Sequence, residues 1–227
     1  IHERLVGSEM CIRDRYELMN TEQRGIAQYW AIRNDNPNVN PNEVGIGGLY
    51  HYEDHIDANG HFVLAKVTWR EYLDPEQTMR SADTDWQKEL LRVGQIQQYN
   101  VSLSTGTDSG KAFFALDYYD NKGTIKESYY KRFNTRMNTE FKFLDDHVQI
   151  GENFTASMWR NSADVGDGNL AKCKELMSIV PVHTVDGEGW GGPIGGMSDR
   201  HNPVRLVEDK KQNHFDVVRL FGNAYIN

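Results

Sequence analysis

The chain has 227 residues, enough for one large or two modest domains, and a formal net charge of −8. With 33 acidic against 25 basic residues and no Lys/Arg run, it lacks the electrostatic footprint of a nucleic-acid-binding protein. No apolar run approaches the ~18 residues of a transmembrane helix, but a spanning strand needs only ~9–11, half of them facing a polar interior, so a β-barrel is not excluded. Cys11 and Cys173 sit in no CxxC or metal-ligand spacing, and no disulfide framework is expected.

The first residue is Ile1 and no signal peptide follows, so the start of the gene product is expected to be missing. "SEMCIRDR" (Ser8 to Arg15) resembles translated transposon-type sequencing-adapter DNA, and residues 1–15 are set aside as non-structural. The other reading is a genuine, poorly ordered N-terminal segment.

"NTEQ" predicts a helix start, with Asn20 as N-cap and Gln23 completing a capping box. Ile26, Tyr29, Trp30 and Arg33 follow at helical spacing until "NDNPNVNPN" ends the helix. "VGIGGLYHYEDHIDANGHF" reads as an aromatic, Gly-containing loop. "LDPEQTMR" predicts a second short helix with Asp74 as cap and Pro75 at its first position, and Asp85 caps a third, "WQKELLR".

From Gln95 the period changes to two, predicting strands at about 96–106, 111–121, 131–143, 148–160 and 215–226. A four-residue link Thr107–Gly110 sets Leu103 opposite Phe114, Val101 opposite Leu116 and Tyr99 opposite Tyr118. A second link, Leu144–His147, sets Phe143 against Val148, Phe141 against Ile150 and Met137 against Phe154. One face is then apolar and the other carries Arg132, Asn134, Arg136, Asn138, Glu140 and Lys142. Glu152 falls on the apolar face, which predicts a bulge near Gly151 or a slipped register. Short links (107–110, 144–147) alternate with long ones (122–130, 161–214), as in outer-membrane barrels. The same alternation also fits a soluble β-sandwich.

"GEGWGG" (Gly187 to Gly192) matches G-x-G-x-x-G, but Pro193 follows where a helix should begin, so no cofactor is expected. "HYEDH" places His51 and His55 four apart in an apparent loop that is not H-E-x-x-H, and no metal is expected. There is no nucleophile elbow and no distinctive carboxylate pair, so no catalytic residue is named and the chain is not read as an enzyme.

Four stretches together resemble SusC/RagA-type TonB-dependent outer-membrane transporters of Bacteroidota. They are "ADTDWQKELLRVGQIQQYNVSLSTGTDSGKAFFALDYYDNKGTIKES", "YKRFNTRMNTEFKFLDDHVQIGENFTAS", "IVPVHTVDGEGWGGPIGGMSDRHNPVRL" and "RLFGNAY". In that family a plug fills a barrel of about 22 strands. The resemblance implies a mainly β fold: about five strands of a transmembrane antiparallel β-barrel, preceded by the C-terminal part of an α/β plug. Residues 16–85 would be plug, and 86–227 the first barrel strands with a long extracellular loop at about 161–214. The implied function is TonB-dependent import of a large nutrient, an oligosaccharide or a peptide, with a SusD-like lipoprotein as lid and lipid around the barrel. Trp190, Tyr50, Tyr52 and Trp69 are the candidates for stacking on substrate, their other reading being structural packing. Trp159 and Tyr129 are read as an aromatic girdle at the membrane interface. The alternative function is a soluble or surface-anchored glycan-binding β-sandwich.

Overall fold

The computed structural model describes residues 2–11, 14–46, 48–163, 165, 167–197 and 201–227, with the side chains of 2–11 and 167 excepted. Its elements are β1 (His2–Cys11), α1 (Thr21–Asp35), β2 (Tyr50–Ile56), β3 (Phe62–Trp69), α2 (Trp86–Leu90), β4 (Gly94–Thr107) and β5 (Gly110–Lys122). There follow β6 (Tyr129–Phe143), β7 (Val148–Ser162), α3 (Asp167–Glu175), α4 (Pro203–Asp209) and β8 (His214–Ile226). The chain divides into two compact units. One holds β1 and the described residues of Leu91–Gly166 and Lys210–Asn227; the other joins Asp14–Leu90 to Asp167–Asp209.

The sheet unit is one antiparallel sheet in the order β1-β4-β5-β6-β7-β8. The five strands expected from the period of two are all present, and the expected pairs Leu103–Phe114, Val101–Leu116, Met137–Phe154 and Phe141–Ile150 lie opposite each other. β4 and β5 pair up to Thr107 and Gly110, so that link tightens to Asp108 and Ser109. Segment His2–Cys11 pairs with β4 antiparallel, with a register shift between Val6 and Glu9.

The bulge expected at Gly151 is absent: pairing runs unbroken from Phe143–Val148 to Tyr130–Asn161. A Cβ on Gly151 would lie 2.4 Å from the Tyr225 ring, so glycine is needed there for Tyr225 to cross the strand. Tyr225 Oη then donates to Glu140 Oε2 at 3.0 Å. Glu152 therefore stays on the apolar face, exposed, between Ile150 and Phe154 and opposite Thr139 and Ala224.

That face remains open: Leu103 is 46%, Phe133 42% and Leu220 66% exposed. It is bounded on the long-link side by one row of polar residues, Gln97, Asp120, Lys131, Arg160 and Asp216, each opposite the next. Arg160 holds Asp216 with two hydrogen bonds of 2.6 and 2.7 Å, the geometry that a planar guanidinium favours.

In the α/β unit, α1 starts as expected. Asn20 Oδ1 accepts from Gln23 N at 2.8 Å while Gln23 Oε1 accepts from Asn20 N at 3.0 Å. "HYEDH" is not a loop but most of β2, paired with β3 around a turn at Asp57–Gly60. Alternation buries Tyr50 and Tyr52 and exposes His51, Glu53 and His55. "LDPEQTMR" is not a helix either. Asp74 accepts from Thr78 N and Met79 N, but Gln77 at φ 58 turns the chain back, and Tyr72 and Arg80 close the loop as a bridge. The expected long loop carries α3 and α4 and packs in the same unit as α1, β2 and β3.

Gly25 sets the approach of α1 to the hairpin. A Cβ there would lie 2.7 Å from Tyr50 Cδ1 and 2.8 Å from Val67 Cγ1. Alanine would recover about 1 kcal/mol of helix propensity but overpack a buried contact at about 1–3 kcal/mol. Gly25→Ala is therefore expected to destabilise the unit by up to about 2 kcal/mol, read as lost hydrogen-exchange protection in α1 and β3. Unchanged or increased protection would refute the close packing.

Candidate functional site

The pleat places Gln98, Asn100, Asp117, Arg132, Asn134, Arg136, Ser157 and Arg219 on the face opposite the apolar one. Asp117 is saturated: Oδ2 accepts from Gln98 at 2.8 Å and Asn100 at 3.5 Å, and Oδ1 from Arg132 and Asn134, each at 3.1 Å. Glu140 is likewise held, by Lys111 at 2.9 Å and by Tyr225. Lys142 lies 3.4 Å from Asp146 in the adjoining turn. Five cations (Lys111, Arg132, Arg136, Lys142 and Arg219) thus share this face of β4–β8 with two carboxylates, Asp117 and Glu140. Among the described residues no carboxylate pairs with Arg136 or Arg219.

These two arginines border a cavity of about 430 Å³. Its floor is small, formed by Ser157 and Thr155, which lie opposite Asn134 and Arg136. Its rim is long: Arg132 lies opposite Trp159 on one side, and Arg219 opposite Ser157 on the other. Arg132 Nε is buried without a hydrogen-bond partner. Trp159, expected in an outward girdle, instead shares the face of Arg132 and lines this cavity. The correction follows from parity, since Trp159 is two residues from Ser157 and the side-chain period of a strand is two.

Of the four aromatics expected to meet substrate, Tyr50 and Tyr52 are buried in the α/β unit, their rings 6.3 Å apart and stacked. Tyr50 Oη donates to Thr21 O at 3.0 Å. Burial pushes the Tyr50 hydroxyl up to about 12 and that of Tyr52 higher still. Trp69 is partly exposed and packs edge-on to Tyr50. Trp190 pairs with His183 as an isolated bridge, their rings 4.4 Å apart. Trp190 belongs to the α/β unit and Trp159 to the sheet unit. Arg219 was missed from the sequence because β8 follows an insertion of some fifty residues, and local pattern does not give its register.

"TDWQ" (Thr84 to Gln87) fastens the α/β unit together. Thr84 N donates to Ser178 O at 2.7 Å and Thr84 Oγ1 to Val180 O at 2.7 Å. Trp86 Nε1 donates to Met177 O at 3.1 Å, and Asp85 caps α2 by accepting from Lys88 N. Gln87 bonds both backbone groups of Tyr16, accepting from N at 2.8 Å and donating to O at 2.7 Å. A cavity of about 850 Å³ runs along this clasp, lined by Tyr16, Arg24, Asp85, Gln87 and Lys174.

Cys173 lies under the clasp, fully buried, with Sγ 3.5 Å from Trp86 O. Burial, reinforced by the charge of Asp85, pushes its thiol up to about 12, so it carries no thiolate at neutral pH. In a Cys11→Ser background, Cys173 is expected to resist maleimide at neutral pH and to react once denaturant opens the unit. Rapid labelling of the native chain would contradict this burial.

The fold is mainly β: a partial barrel wall with one apolar and one polar face, together with a small α/β unit of the kind that precedes such a wall as a plug. The chain is similar to TonB-dependent receptors. It is 26% identical over 114 residues to the TonB-dependent receptor SusC of Bacteroides thetaiotaomicron, a match covering 50% of this chain and 11% of the relative. It is 27% identical over 170 residues to the TonB-dependent receptor P3 of Formosa agariphila, covering 70% of this chain and 17% of the relative. The chain thus spans under a fifth of the length of these relatives. No family model matches.

Proposed function

We propose that the chain is part of a transporter that imports a large nutrient across the bacterial outer membrane, driven through TonB. The cargo is an oligosaccharide or a peptide, and a SusD-like surface lipoprotein closes over it. The observation that carries this reading is the two-faced sheet. Strands β4–β8, of 13 to 15 residues, exceed the ~9–11 needed to span a bilayer, and a side chain as apolar as Leu220 stays open to its surroundings. A glycan-binding sandwich would bury that face against a second sheet, whereas lipid covers it without one. The similarity to two TonB-dependent receptors supports the same reading. In it, residues 16–85 serve as plug, residues 86–227 as barrel with an extracellular segment at about 161–214, and residues 1–15 are foreign to the native gene. No catalytic step is assigned.

The test is uptake of labelled oligosaccharides by cells expressing the whole receptor, with and without a protonophore. Import that requires the receptor and stops with the protonophore is expected. Uptake indifferent to both, or recovery of the receptor outside the outer-membrane fraction, would overturn the proposal.

A further inference from the structure

Resting on that import reading, we propose that the arginine-rimmed cavity on the polar face binds an acidic oligosaccharide, one bearing carboxylate or sulfate groups. Charge comes first. Asp117 and Glu140 already have their cations, which leaves Arg136 and Arg219 as spare guanidinium forks, and these match carboxylate and sulfate oxygens two at a time. Arrangement comes second. Arg136 and Arg219 lie two strands apart and two residues out of step, so their backbones are separated by about 12 Å. Between them the short side chains of Thr155 and Ser157 leave room and offer hydroxyls. Third, Trp159 at the rim presents an aromatic surface beside Arg132, whose buried Nε has a hydrogen to give and nothing to take it. An aromatic surface and hydroxyls suit a sugar ring; the two spare guanidiniums select one that carries negative charge. A cavity of about 430 Å³ falls within the range of small-ligand sites, large enough for a short saccharide segment.

The probes are an oligogalacturonide, a sulfated carrageenan oligosaccharide and a neutral malto-oligosaccharide of matched length. Each is titrated calorimetrically into the whole receptor in detergent. At least one acidic probe is expected to bind more than about tenfold tighter than the neutral one, and to weaken as salt rises. Whichever acidic probe binds better assigns carboxylate or sulfate. Arg136→Gln with Arg219→Gln should remove that preference while leaving the β-sheet circular dichroism unchanged. Arg136→Lys with Arg219→Lys, which keeps charge and loses the fork, should fall between. Equal binding of acidic and neutral probes, or an acidic preference that survives the double glutamine variant, overturns the inference. If neutral sugars bind and are imported, the import reading stands without it; if no probe binds and no uptake occurs, both fall.

Discussion

Replacing Asp54 by alanine is expected to cost the α/β unit about 3 kcal/mol, because it strands a cation in an apolar setting. Asp54 accepts from Tyr29 Oη at 2.6 Å and from Arg33 Nη2, and both partners are largely enclosed: Tyr29 is fully buried and the Arg33 side chain is 11% exposed. Arg33 also lies over the Phe62 ring at 3.9 Å and donates to Pro37 O and Val39 O. Those contacts position the guanidinium but do not neutralise it. Replacing both members of the pair, Arg33→Met with Asp54→Leu, should therefore cost much less than the single change. Exchange protection in α1 and β2 of the detergent-solubilised chain reads both. A single variant as stable as the parent would show that the pair is not coupled to folding.

The same carboxylate makes the unit acid-sensitive. Burial raises its pKa, but hydrogen bonds from Tyr29 and Arg33 and the Arg33 charge outweigh that and hold it below the ordinary carboxylate value. A group depressed in the folded state stabilises fully above its unfolded value, near 4, and loses that contribution as pH falls through the folded value. Protection should thus decline below about pH 4, and less steeply in Asp54→Asn. Asp74 and Asp186, depressed by the hydrogen bonds of Thr78 and Thr184, and Asp57, depressed by the His61 backbone amide, should keep a residual slope.

The second large effect is expected at Trp86. Its side chain is 2% exposed and bonds Met177 O, beside the bonds from Ala82 N to Ile179 O and from Thr84 to Ser178 and Val180. Trp86→Ala should cost about 3–5 kcal/mol through the cavity it leaves. It should also release residues 177–180, seen as proteolytic cleavage there, and expose Cys173 to maleimide. Trp86→Phe keeps most of the volume and loses one hydrogen bond, an expected cost of about 1–2 kcal/mol. Equal effects of the two would show that the bond to Met177 outweighs packing.

Much of the sheet was legible because its signal is local. Alternation fixes the face of each residue, and a tight link fixes the register of its two strands, so Tyr99–Tyr118 and Phe143–Val148 follow from spacing alone. The α1 capping box was legible for the same reason. Structure and expectation differ where residue type and strand parity point to different faces. Parity alone puts Glu152 on the apolar face with no bulge, and parity, not residue type, puts Trp159 among the arginines. "HYEDH" alternates as a strand should, but its polar residues hid the signal.

By itself, then, the sequence determined the five strands, their pairing across short links and the helix that Asn20 begins, all set by interactions within a few residues. Only the tertiary structure decided that the segment after β7 folds with α1 and the β2–β3 hairpin, held by bonds from residues 82–87 to 177–180. Only it brought Arg219 beside Ser157 and Trp159 to complete the cavity. Those pairings join residues some fifty to a hundred positions apart, where packing and hydrogen-bond satisfaction of the whole fold select the partner and local pattern has no voice.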